Sequence, residues 1–215
     1  MGDPNIVAEA FAALAALSPL EAAAVGLGVL YLLLAIRQNI WCWPAALVSV
    51  LLSLVLFYEA RLYMEAALQV FYVAMALYGW QQWRAGRRGH AARGAADDLP
   101  VSVWSVRQHA LAIGATLLMS AMFGWVLAAY TDAAFPYLDS FTSIAAIVTT
   151  YMVAKKILEN WIYWFVIDGI GVYLHAARGL YLYAALFVLY LFLVIAGFVR
   201  WRRDWHAQPA HAAAN

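Results

Sequence analysis

LYLYAALFVLYLFLVIAGFVRWR, residues 180–202, carries no charged side chain until Arg200, and Leu180 to Val199 is long enough to cross about 30 Å of hydrocarbon as a helix of about 20 residues. Lipid offers the backbone no hydrogen-bond partners, so such a run must satisfy its own peptide groups, which a helix does. A second stretch, LYMEAALQVFYVAMALYGWQQWR at residues 62–84, matches the first at an offset of 118: Leu62-Tyr63 with Leu180-Tyr181, Tyr72 with Tyr190, Gly79 with Gly197, Trp83-Arg84 with Trp201-Arg202. Matches that extend over a whole helix are the mark of an internal duplication.

Working outward, apolar runs cover Glu21 to Ile36, Ile40 to Tyr58, Leu62 to Trp83, Leu111 to Tyr130, Tyr137 to Ala154, Asn160 to Leu174 and Leu180 to Val199. The reading is an all-α integral membrane protein with seven transmembrane helices. The fifth run has a polar front, Asp139-Ser140-Phe141-Thr142-Ser143, and a short apolar remainder. Composition agrees: 67% of the 215 residues are hydrophobic and 12% charged, where a soluble domain carries about a quarter charged residues. The net charge of +1 gives no field that would gather nucleic acid.

Positive charge near span ends orients a membrane protein. With the N-terminus outside and the C-terminus cytoplasmic, Arg37, Arg84, Arg87, Arg88, Arg93, Arg107, Lys155, Lys156, Arg200, Arg202 and Arg203 fall inside, and Arg61 and Arg178 outside. The chain then divides into a surface segment 1–18, a first three-helix repeat 19–83, a charged cytoplasmic loop 84–108, a linker helix 109–131, a second three-helix repeat 136–203 and a tail 204–215. At an offset of 121, Asn39 and Trp43 align with Asn160 and Trp164, so each half has an Asn-x-x-x-Trp opening a helix. Three helices reverse the chain's direction, so a fourth lets the second triplet start on the same side as the first. Two parallel triplets place a substrate site near the midplane between them, as in SWEET-type sugar transporters.

Candidate site residues sit inside the spans. In ENWIYWFVIDGIG, residues 159–171, Asn160, Trp164 and Asp168 are four apart and share a helix face, with Trp161 flanking. Asp168 lies about 12 Å along the axis from Asn160 at 1.5 Å per residue. A carboxylate at that depth marks a functional site by default; the plainer alternative is a hydrogen bond to a neighbouring helix. Gln69 and Tyr72 share a face of the third helix, Asn39 and Trp43 could line the other half of a pocket, and Asp139 and Thr142 stand at the outer end of the fifth, where an acid with hydroxyls reads equally well as an N-cap. Belt anchoring at the membrane surface accounts equally well for the tryptophans. Glu65 could line an entrance or face water.

Nothing in the sequence argues for catalysis. His90, His109, His175, His206 and His211 are scattered without ligand spacing, and the single cysteine, Cys42, excludes an intrachain disulfide and a multi-cysteine metal site. RAGRRG at 84–89 lacks the strand that a phosphate-binding loop requires. No cofactor, metal or nucleic acid is expected.

The stretches ALQVFYVAMALYGWQQW (67–83), DSFTS (139–143) and KKILENWIYW (155–164) resemble the PnuC family of bacterial vitamin transporters, over about residues 20 to 205. The resemblance implies a seven-helix SWEET-like transporter of the bacterial inner membrane, often a homotrimer, that moves nicotinamide riboside by facilitated diffusion and relies on cytoplasmic phosphorylation to retain it. It implies that Trp161 and Trp164 are the family's WxxW, with Asn160 beside it. Indole faces suit a cationic pyridinium ring, and amides with a carboxylate suit ribose hydroxyls. AIVTTYM (146–152) lacks the Gln that many members carry one turn before the Met, and family members that take thiamine or riboflavin make those vitamins the alternative. An enzyme or proton-linked sensor using Asp168 is the alternative of another class, and a structural subunit of a larger complex a third.

Overall fold

The computed structural model describes residues 14, 16–61, 63–91 and 99–208. Most of the surface segment 1–18, much of the 84–108 loop and most of the tail, together with the Glu65 side chain, lie outside the described residues. Among the described residues seven helices follow one another: α1 (Pro19–Ile36), α2 (Cys42–Glu59), α3 (Tyr63–Ala91), α4 (Val106–Tyr130), α5 (Pro136–Ala154), α6 (Asn160–Ala177) and α7 (Tyr181–His206). By length and hydropathy α1, α2, α4 and α7 are long and apolar enough to cross a membrane.

Local signals set the starts. Ser18 accepts from the Glu21 N–H while the Glu21 carboxylate accepts from the Ser18 N–H, a capping box with Pro19 in the first turn. Ser105 and Gln108 close α4 in the same way. Pro136 opens α5, so Asp139 lies inside the first turn rather than at the N-cap; its carboxylate instead pairs with Arg178 at 2.5 Å, beyond the end of α6. The third helix continues past Trp83 to Ala91, into the stretch read as loop. Ala and Arg are strong helix formers, and the two glycines of RAGRRGHA do not outweigh them.

Around the bundle, α1 packs on α2 and α7, α5 packs on α3, α4 and α6, and the remaining neighbours are α2 with α3 and α6 with α7. Contacts recur 118 residues apart. Gln38 and Lys156, after α1 and α5, have φ of 53° and 51°; Arg61 and Gly179, after α2 and α6, have 60° and 73°. Asn39 N–H bonds to Leu34 C=O as Ile157 N–H bonds to Met152 C=O, both 2.9 Å, the six-residue closure of a Schellman turn. Trp43 packs edge-on to Trp83 at 5.6 Å and 89°, and Trp161 to Trp201 at 5.3 Å and 88°. Gly79 lies under the Trp43 ring and Gly197 under that of Trp161, and a Cβ at either would fall 2.3 or 2.6 Å from ring carbon. Tryptophan at 43 thus corresponds to Trp161, not to Trp164 as the 121-residue alignment had it. An indole that must lie against a helix backbone needs glycine there, and this constraint outranks the Asn-x-x-x-Trp spacing.

The two sets of contacts meet. Trp83 and Trp201 approach to 6.4 Å, and Lys156 Nζ donates to Gln38 Oε1 at 3.0 Å while Gln38 Nε2 donates to Asp204 at 2.8 Å. Lys156 Nζ also stands 4.6 Å over the Trp83 ring. Lys155 donates to Gln82 at 3.0 Å, and hydrogen bonding by Tyr78 raises its pKa. One end of the bundle therefore gathers the C-terminal ends of α1, α3, α5 and α7 with these basic side chains. Residues 99–104 lie across it: Ser102 N–H bonds to Lys156 C=O, Leu158 N–H bonds to Ser102 C=O, and Val101 is buried in the core.

Candidate functional site

Three helix faces enclose a cavity of about 230 Å³, more than the ~150 Å³ that holds a benzene ring. From α1 come Gly28, Tyr31, Leu32 and Ala35; from α6 Trp161, Trp164 and Asp168; from α7 Phe187, Tyr190 and Val194; Val153 of α5 completes it. Each set follows the three-and-four spacing of one helical face, which is why residues spread along the sequence converge. Five of the eleven lining residues are aromatic.

Asp168 is the acidic residue among them. It is 4% exposed, and among the described residues its carboxylate makes no hydrogen bond or ion pair. Burying a carboxylate without a partner is costly, which sets Asp168 apart from the other lining residues. Trp161 is 1% exposed and its indole N–H has no acceptor among the described residues; Trp164, one turn further in, is half-buried. Phe187 is held against Gly171, whose missing Cβ it occupies, and stacks on His175 at 4.8 Å.

Of the residues singled out in the sequence, the cavity brings together Trp161, Trp164 and Asp168. Asn160 is fully buried beside it, donating through Nδ2 to Ile157 C=O at 2.6 Å, and so supports the turn into α6. Asn39 is exposed and accepts from the Trp41 N–H at 3.0 Å. Trp43 is 2% exposed in the core between Gly79 and Trp83. Gln69 and Tyr72 are half-buried on α3, and Thr142 bonds the carbonyls of Leu138 and Asp139; none of these lines the cavity. Sequence reading missed Tyr31, Phe187 and Tyr190. A signal existed for Tyr190, since Tyr72 is its partner at the 118-residue offset and was the one nominated.

Chemically, the site offers flat aromatic surfaces and one carboxylate. Among the described residues no group of three His, Cys, Asp or Glu side chains is placed to hold a metal. The cavity lies within the helical bundle and presents aromatic side chains from α1, α6 and α7.

Proteins similar to this chain include vitamin transporters. The riboflavin/roseoflavin transporter RibM of Streptomyces davaonensis is 32% identical over 185 residues, covering 83% of this chain and 80% of that one. The nicotinamide riboside transporter PnuC of Escherichia coli is 28% identical over 204 residues, covering 86% and 85%. The crystal structure of a vitamin B3 transporter PnuC superposes with a TM-score of 0.68 at 24% identity, over 86% of this chain and 81% of that one, which shows a shared fold. Residues 18–203 match the family described as nicotinamide mononucleotide transporter, and the chain belongs to this PnuC-type family.

Proposed function

We propose that the chain is a facilitative transporter of nicotinamide riboside in a bacterial inner membrane. In this reading all seven helices cross the bilayer, the N-terminus is outside and the basic end is cytoplasmic, which obeys the bias of positive charge. The two triplets, α1–α3 and α5–α7, are parallel repeats joined by α4, a reading supported by the backbone turns and tryptophan pairs that recur at 118 residues. Cytoplasmic phosphorylation retains the substrate, and the protein works as a homotrimer. Transport needs no cofactor or chemical step within the chain.

The observation that carries the proposal is the aromatic cavity between α1, α6 and α7. It has walls for a flat ring and a single carboxylate, Asp168, among them. Riboflavin is the second reading, favoured by the relative at 32% identity. Proteoliposomes containing the protein and no kinase are expected to equilibrate labelled nicotinamide riboside; equilibration of riboflavin alone would move the assignment to the second reading, and of neither would refute both.

Trp164 tests the pocket itself. Half-buried on the cavity wall and outside the tryptophan core, it can be removed without emptying the bundle interior. Trp164→Ala is expected to weaken substrate binding by about 1–3 kcal/mol with little change in melting temperature. Unchanged affinity by titration calorimetry would return Trp164 to a membrane-anchoring role.

A further inference from the structure

Asp168 faces a cavity whose lining includes no lysine, arginine or histidine. Basic side chains at the two ends of the bundle have partners of their own: Lys156 donates to Gln38 and Arg178 pairs with Asp139. The surrounding side chains are Tyr31, Trp161, Trp164, Phe187 and Tyr190, whose ring faces attract positive charge and repel negative. Wall and carboxylate therefore favour the same sign of ligand, and nothing in the lining of the site itself compensates the acid.

We propose that Asp168 is the specificity-determining residue of the cavity, selecting a ligand whose flat ring carries a positive charge over an uncharged ring of the same shape. The proposal rests on the transport reading above and deepens it. An acid with no partner in a low-dielectric site is costly when the site is empty and remains so when a neutral molecule enters. A cationic ring supplies the missing counter-charge on entry, so the offset appears with the charged ligand alone. An acid used for hydrogen bonds to ribose hydroxyls would not distinguish two ligands with the same ribose.

Nicotinamide riboside and its 1,4-dihydro form make that comparison, because they share the ribose and nearly the same outline while the first has a pyridinium cation and the second a neutral ring. Binding of each is measured by titration calorimetry to the purified full chain, with uptake into proteoliposomes in parallel. The wild-type protein is expected to prefer the cation by about tenfold or more, the scale of a charge contact in a desolvated site. Asp168→Asn is expected to bring the two affinities within a few-fold of each other, chiefly by weakening the cation, and Asp168→Glu to keep the preference. Equal binding of both forms by the wild type overturns the charge selection and leaves the transport reading standing, and so does a preference that Asp168→Asn leaves intact. If neither form binds or crosses, the nicotinamide riboside reading falls and the selection with it. Should Asp168→Asn fail to fold, Asp168→Ser makes the same comparison, and a preference that it leaves intact overturns the proposal.

Discussion

Trp161→Ala is expected to lose about 3–5 kcal/mol of stability, the cost of truncating a buried tryptophan, and to abolish substrate binding with it. The indole is 1% exposed, fits against Gly197, meets Trp201 edge-on at 5.3 Å and also walls the cavity. Helices in lipid gain little from hydrophobic burial against one another and depend on close packing, so a void at this junction has no compensation from solvent. Thermal unfolding of the detergent-purified variant should show a large drop in melting temperature, while Trp164→Ala, on the same wall but outside the core, should not. Equal melting of the two variants would mean that the junction does not hold the bundle together.

The second large effect is one of sign. Replacing a mid-helix glycine by alanine ordinarily stabilises a helix by up to about 1 kcal/mol, yet Gly79→Ala and Gly197→Ala are expected to destabilise by about 1–3 kcal/mol through overpacking. The added Cβ would sit 2.3 Å from the Trp43 ring or 2.6 Å from the Trp161 ring, well inside the ~3.5–4.0 Å of carbon contact, and neither ring is the loose end of a flexible side chain. The two variants separate stability from binding. Trp161 lines the cavity and Trp43 does not, so Gly197→Ala should also weaken the substrate, whereas Gly79→Ala should lower the melting temperature with affinity retained. A gain in stability from either would refute the close approach.

Most helix positions were legible because apolar runs of span length have few alternative readings. The end of α3 was not, since a basic helix leaving the apolar run has the composition of a loop and differs from one by backbone propensity alone. At the site, Trp161, Trp164 and Asp168 could be read because polar and aromatic groups inside an apolar run stand out. Tyr31, Phe187 and Tyr190 sit in runs already rich in aromatic residues, where the face that turns inward depends on which neighbours the helix meets. The amides are ambiguous in another way: Asn39 and Asn160 stand at helix entrances, where each bonds a backbone group, while Asn160 Oδ1 is buried with no partner among the described residues. Spacing alone does not separate these two uses.

Lys156 is 1% exposed at the seam where Trp83 meets Trp201 and Gln38 reaches Asp204. Parting the turn after α1 from the turn after α5 must break the Lys156–Gln38 bond, and it would admit water to a buried ammonium. Hydration of that charge offsets part of what the broken contacts cost. The seam is thus a place where the net cost of separation is smaller than its contacts suggest.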